Sequence, residues 1–176
     1  FIAALVILAV ASPIINGALR LAGSGPLLLI VDDTWAAAPQ WDRRKETMTD
    51  LIGAAAHEGR SVVLAFTAPV SAQKDGLRIE VSEPLPPQEA LRRIGVSKPK
   101  PWASSRAELV QALAQPKMGS VIGNNAAVVW LSDGLYLGDP GDLKEFTREL
   151  ETFGDVSIYS DDPAQRALLL LKPTFL

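Results

Sequence analysis

The chain of 176 residues has no cysteine, a single histidine and few aromatic residues, 6% of the total. Without cysteine there is no disulfide frame, no thiolate nucleophile and no cysteine-based zinc site. His57 has no second His or Cys with which to nucleate a zinc site and makes a poor catalytic base. Positive charge is also scarce: Lys and Arg total 17 against 20 Asp and Glu, a net charge of −3 with a pI near 5.2. Nucleic-acid binding needs clustered Lys and Arg, so no nucleic-acid partner is expected. The longest basic cluster, "KPKP" at 98–101, is short, interrupted by proline and reads as a solvated loop. No Gly-x-Ser-x-Gly elbow, Walker loop or glycine-rich dinucleotide turn occurs. "GSG" at 23–25 precedes a strand rather than following one, which makes it a linker.

Apolar residues are plentiful at 48%, with 21% charged, enough for one domain with a real core and an appendage. The opening stretch "FIAALVILAVASPII" carries no charge. As a helix it would span about 22 Å, against about 30 Å of bilayer hydrocarbon. Three readings fit it: the end of a transmembrane helix, the apolar part of a signal peptide with "AVA" at 9–11 as its cleavage site, or a core helix. The first is preferred, because Pro13, Asn16 and Gly17 would then lead out of the membrane into the linker "NGALRLAGSG". Residues 1–22 are therefore expected to be the end of a transmembrane helix plus linker. Only Arg20 flanks the stretch, so charge does not set its orientation.

From residue 23 strand-like and helix-like segments alternate. "LLLIV" (27–31) is a continuous apolar run, as in a strand covered on both faces. A helix is expected over 42–59, with Met48, Leu51, Ile52 and Ala55 on one face and Gly59 as its stop. A strand is expected over 61–68, an edge strand over 76–83 and a short helix over 86–95. Ser105 followed by Glu108 reads as a capping box opening a helix over 104–115. A buried strand follows over 126–134, then a helix over 141–154 with Leu143, Phe146 and Leu150 inward. Strands over 155–160 and 167–173 close the pattern. Such alternation predicts a three-layer, Rossmann-like α/β fold, a mainly parallel sheet with helices on both faces.

Ligand sites in such sheets lie beyond the carboxyl ends of the strands. Asp32, Asp33 and Thr34 should then share a mouth with Ser132, Asp133 and Gly134, within reach of the loop before the helix at Ser105. The expected mouth is acidic, formed by Asp32, Asp33, Asp133, Asp139 and Asp142 with Trp35 and Trp102 nearby. Adjacent residues of a strand face opposite ways, so Asp32 and Asp33 should not act as a pair. Two readings of Asp32 and Asp133 remain open, as oxygen ligands of a metal ion or as local turn and cap formers. Trp35, Trp41 and Trp102 are placed on mouth loops, and Trp130 in the core.

"LLLIVDD" resembles the opening of receiver domains, but no aspartate stands in "LRIEVSE", where their phosphoacceptor belongs. The order of elements is more similar to von Willebrand factor A-type domains. That family carries Asp-x-Ser-x-Ser after its first strand, a Thr before a later helix and Asp-Gly after its fourth strand, together ligating Mg²⁺. The matching positions are Asp32-x-Thr34-x-Ala36, the serines 104–105 and "WLSDG" with Asp133. The resemblance implies a degenerate adhesion site of Asp32, Thr34, Ser105 and Asp133, with Ala36 offering no oxygen, and so no cofactor or weakly bound Mg²⁺. "GSGPLLLIVDDTWAAAPQWDRR" further resembles bacterial Bat-type, aerotolerance-regulator-like proteins with two transmembrane helices and a degenerate A-type domain. That likeness implies a domain over 23–160 on the periplasmic side of the inner membrane, with residues 161–176 leading to a further C-terminal domain. It implies no catalysis, and a protein partner at the carboxyl edge of the sheet meeting Asp33, Trp35 and Trp102. Two alternatives remain: a Mg²⁺-dependent phosphotransfer or hydrolytic enzyme using Asp32 or Asp33, and a purely structural spacer.

Overall fold

The computed structural model describes residues 20–70, 72–73, 76–135 and 140–160. The expected membrane helix up to residue 19, the strand over 167–173, the segment 161–176 and Asp139 lie outside them. Among the described residues no helix is long and apolar enough to cross a membrane.

Five strands form the main sheet: β1 (Leu27–Val31), β2 (Val62–Phe66), β5 (Glu80–Val81), β6 (Ala126–Ser132) and β7 (Gly154–Ser160). Their spatial order is β5-β2-β1-β6-β7, with β5 antiparallel to β2 and every other pairing parallel. The expected strand over 76–83 is broken in two. Gly76–Leu77 (β4) pairs with Ala72–Gln73 (β3) in a separate small hairpin, and β5 alone joins the sheet.

Alternation along β1 decides which side chain serves which layer. Leu27, Leu29 and Val31 enter the core beneath α1 (Trp41–His57) and α2 (Pro87–Val96), whereas Leu28 and Ile30 enter the core beneath α3 (Arg106–Leu113), α4 (Pro116–Ile122) and α5 (Pro140–Glu151). All five are fully buried, as a central parallel strand requires. Leu109, Leu113, Phe146 and Leu150 seal the second face, with Phe146 edge-on to Trp130 at a centroid distance of 5.0 Å.

Several boundaries differ from expectation. A 3₁₀ helix (Trp35–Gln40) precedes α1, with Thr34 as its N-cap accepting from the Ala36 amide at 3.2 Å. Trp41 is thereby drawn from the mouth into the core, where its indole N–H donates to the Ser97 carbonyl at 3.1 Å. The helix expected over 104–115 stops at Leu113, and Pro116 opens α4 because proline suits a first helical turn.

Candidate functional site

Strand parity carries past the end of β1. Asp32 continues the Leu28–Ile30 side, toward α3, and Asp33 the opposite side, toward the loop after α2. Each aspartate is buried, and each finds its own cation.

Asp32 accepts from the Thr67 hydroxyl at 2.7 Å through Oδ1. Its Oδ2 accepts from Arg106 Nη2 at 2.8 Å and from the Asp133 amide at 3.2 Å. Thr67 follows β2 with the parity of Val63 and Ala65, which is why its hydroxyl arrives on this face. Neighbouring β1 and β6 run parallel with Val31 opposite Leu131, so Asp32 comes level with Ser132 and the next amide, that of Asp133, reaches its carboxylate. The Asp133 carboxylate accepts from Thr34 Oγ1 at 2.5 Å and, in a local turn, from the Leu135 amide at 2.8 Å. Its Oδ1 lies 3.7 Å from Arg106 Nη2. The arginine also donates to the Leu135 carbonyl at 3.3 Å and stacks over Trp130 at 5.1 Å. The guanidinium therefore sits between the two carboxylates and over an aromatic ring.

Asp33 accepts from the Ala68 amide at 2.9 Å and pairs with Lys100 at 2.7 Å. Lys100 also donates to the Ala68 carbonyl at 3.0 Å, and its own amide donates to the Asp33 carbonyl at 2.7 Å. The "KPKP" segment is a loop, as expected, with Lys98 and Pro101 exposed, but Lys100 is turned in as its anchor. From the first face, Arg44 of α1 donates to the Leu131 and Ser132 carbonyls at 3.1 and 2.7 Å, holding the end of β6.

Burial holds the Asp133 carboxyl above the ordinary aspartate value; the charge of Asp32 adds to this, while Thr34, the Leu135 amide and Arg106 oppose it. Burial also raises Asp33, against the pull of Lys100 and the Ala68 amide.

The structure brings Asp32, Thr34 and Asp133 together and turns Ser105 away. The Ser105 hydroxyl donates to Glu108, and its amide donates to the Thr67 carbonyl at 2.7 Å. The expected serine-to-helix-amide bond of a capping box is absent. Nor is there an open acidic mouth made of the strand-end aspartates. Asp32, Asp33 and Asp133 are at most 5% exposed, because carboxylates at a sheet's rim are stable there only with cations folded over them. Among the described residues no group of three His, Cys, Asp or Glu could hold a metal ion. As arranged, the donors do not fit a hard cation. Mg²⁺ needs an octahedral oxygen frame at about 2.0–2.1 Å, and here Ala36 supplies no side-chain oxygen while a guanidinium nitrogen already bonds Asp32.

Beside this network a cleft of about 570 Å³ opens between α3 and α5. Ala107, Val110 and Phe146 give it apolar walls, and Trp35, 42% exposed, stands at its lip. Asp142, Glu145 and Glu149 line it along one side of α5. Arg148, 3.6 Å from Glu145 and 3.7 Å from Glu149, offsets only part of their charge. Trp102 is also exposed, at 40%, but does not line the cleft.

A parallel sheet in this order, with an antiparallel edge strand and helices on both faces, is an α/β fold of the kind found in von Willebrand A domains, and comparison with solved structures agrees. The chain is similar to proximal thread matrix protein 1 from the mussel byssus, with a TM-score of 0.53 and 13% identity, over 80% of this chain but 37% of that one. It is similar to the SpRpn10 VWA domain with a TM-score of 0.53 and 8% identity, over 81% of this chain and 78% of that one. The mussel protein is also known with a zinc-occupied MIDAS motif. No family model and no curated protein matches the sequence. Identities this low show the fold alone.

Proposed function

We propose that this chain is a non-enzymatic, von Willebrand A-like interaction domain that grips a protein partner at the carboxyl edge of its sheet, in the cleft between α3 and α5. One observation carries the reading: an open cleft with apolar walls, an exposed tryptophan at its lip and an excess of carboxylates along one side. Aromatic residues at such edges are common binding anchors. The complementary partner is a segment presenting a Lys or Arg beside an apolar side chain, which would satisfy the walls and the acidic side together. Trp102 and the Asp33 region flank the same edge and would form its periphery.

The bonding of the aspartates supports a non-catalytic role. Both oxygens of Asp32 and both of Asp33 are engaged, leaving neither carboxylate open to attack a phosphoryl or acyl group. The domain would span residues 23–160. The uncharged apolar stretch at 1–15 supports a tether to a bacterial inner membrane with the domain on the periplasmic side, and 161–176 would lead onward to a further domain.

Photo-crosslinking in cells tests the proposal, with a photoreactive residue placed at Trp35, at Gln111 in the cleft, or at Asp50 on the exposed side of α1 as a control. A discrete adduct from the first two, absent at Asp50 and lost when Asp142, Glu145 and Glu149 are changed to Lys, is expected. Equal labelling at all three positions, or none, would favour a spacer. Phosphate release from acetyl phosphate with Mg²⁺, lost in Asp32→Asn, would instead establish an enzyme.

A further inference from the structure

Arg106 occupies an unusual place for a cation. It is the first residue of α3, where the helix dipole is positive and a basic side chain is disfavoured. It is nevertheless buried to 11% exposure, bonded to Asp32, within 3.7 Å of Asp133 and stacked on Trp130. A charge held against the dipole and largely covered needs a compensating environment, and two buried carboxylates supply it. Two carboxylates face the guanidinium, Asp32 through Oδ2 and Asp133 through Oδ1, and each accepts a threonine hydroxyl on its other oxygen, Thr67 on Asp32 and Thr34 on Asp133.

We infer that Arg106 is a built-in cation: its guanidinium fills the position between Asp32 and Asp133 that a divalent ion would need, so the folded site excludes metal ions. The side chain supplies one positive charge with fixed directions, where a metal would supply two with exchangeable ones. Charge balance at the rim is therefore independent of the surrounding Mg²⁺ or Ca²⁺ concentration. It follows that removing the guanidinium leaves two buried carboxylates facing a space a small hard cation can enter. This inference does not depend on what the neighbouring cleft binds.

Calorimetric titration of the purified chain with MnCl₂, combined with thermal melting, tests it. The wild-type protein should show no binding heat and an unchanged melting temperature at millimolar Mn²⁺. Arg106→Ser should bind Mn²⁺ with a sub-millimolar Kd and melt at a higher temperature with the ion than without it. Adding Asp133→Ala should abolish that gain. Sub-millimolar Mn²⁺ binding by the wild type, lost in Asp32→Ala, overturns the inference; so does a folded Arg106→Ser that ignores the ion. Should Arg106→Ser fold under neither condition, Arg106→Lys decides. That variant keeps a positive charge and is expected to fold without responding to Mn²⁺, and a variant that unfolds or takes up the ion overturns the inference.

Discussion

Arg60 and Arg106 are each 11% exposed, yet they fasten opposite rims of the sheet in different ways. At the amino rim, Arg60 collects backbone carbonyls, donating to Ala22 at 2.8 Å and Gly23 at 2.5 Å, with longer bonds to Gly25 and Leu21. Its carboxylate partner, Glu58 at 2.7 Å, is half-exposed. Close backbone approach completes this rim. The Gly25 amide meets the Asn125 carbonyl at 2.7 Å, and a Cβ on Gly154, whose φ is +149°, would lie 2.1 Å from the Ala126 oxygen. At the carboxyl rim, Arg106 faces two buried carboxylates, which also accept from backbone amides. The amino rim is fastened by backbone carbonyls and close backbone approach, whereas the carboxyl rim is fastened by a cation against two buried carboxylates.

That contrast is open to direct test. Arg106→Met should cost about 3–5 kcal/mol in urea unfolding, because Asp32 and Asp133 are left buried without a counter-charge. A loss under about 1 kcal/mol would place the carboxylates in contact with water. At the other rim Gly154→Ala should cost about 3 kcal/mol, from a forbidden backbone angle and a clash with Ala126. Its deficit should not vary with pH. Arg60→Met should cost only about 1–2 kcal/mol, since the carbonyls it releases lie beside exposed glycine and serine where water can bond them. A loss equal to that of Arg106→Met would erase the distinction between the rims.

The smallest expected effect is a pH slope. The native state holds the Asp133 carboxyl above the ordinary value of 3.8, whereas the unfolded chain does not. Between those two values the native protein binds more protons than the unfolded one, so stability rises as pH falls through the raised native value and levels off below the unfolded one. Compared with Asp133→Asn, which lacks this proton, the wild type should gain stability from neutral pH toward about pH 4. Asp33 titrates in both proteins and cancels from the difference. A wild type that loses stability relative to the variant over this range would contradict the assigned burial.

Much of this architecture was legible in the sequence because it is local. Continuous apolar runs at 27–31 and 126–131 identified the buried strands, and the parity of Asp32 and Asp33 followed from pleating alone. The cations were not legible, because they reach the rim from 67 and 74 positions away in the chain. Lys100 hid within a proline-rich stretch whose composition suggests solvent. Thr67 hid as the last hydroxyl of an ordinary strand. Arg106 did leave a signal: in "SSRAEL" a basic residue occupies the first helical turn, where acidic ones are favoured, a local conflict that marks a tertiary partner. The cleft left only the spacing of Asp142, Glu145 and Glu149, which also suits a solvated helix face.

The most direct test of the central claim is an anomalous difference map from crystals grown in millimolar MnCl₂. With Arg106 as the resident cation, the map should be featureless between Asp32 and Asp133, and the guanidinium should lie there against Trp130. A manganese peak bonded to the Asp32 carboxylate, with Arg106 swung out toward solvent, would contradict it.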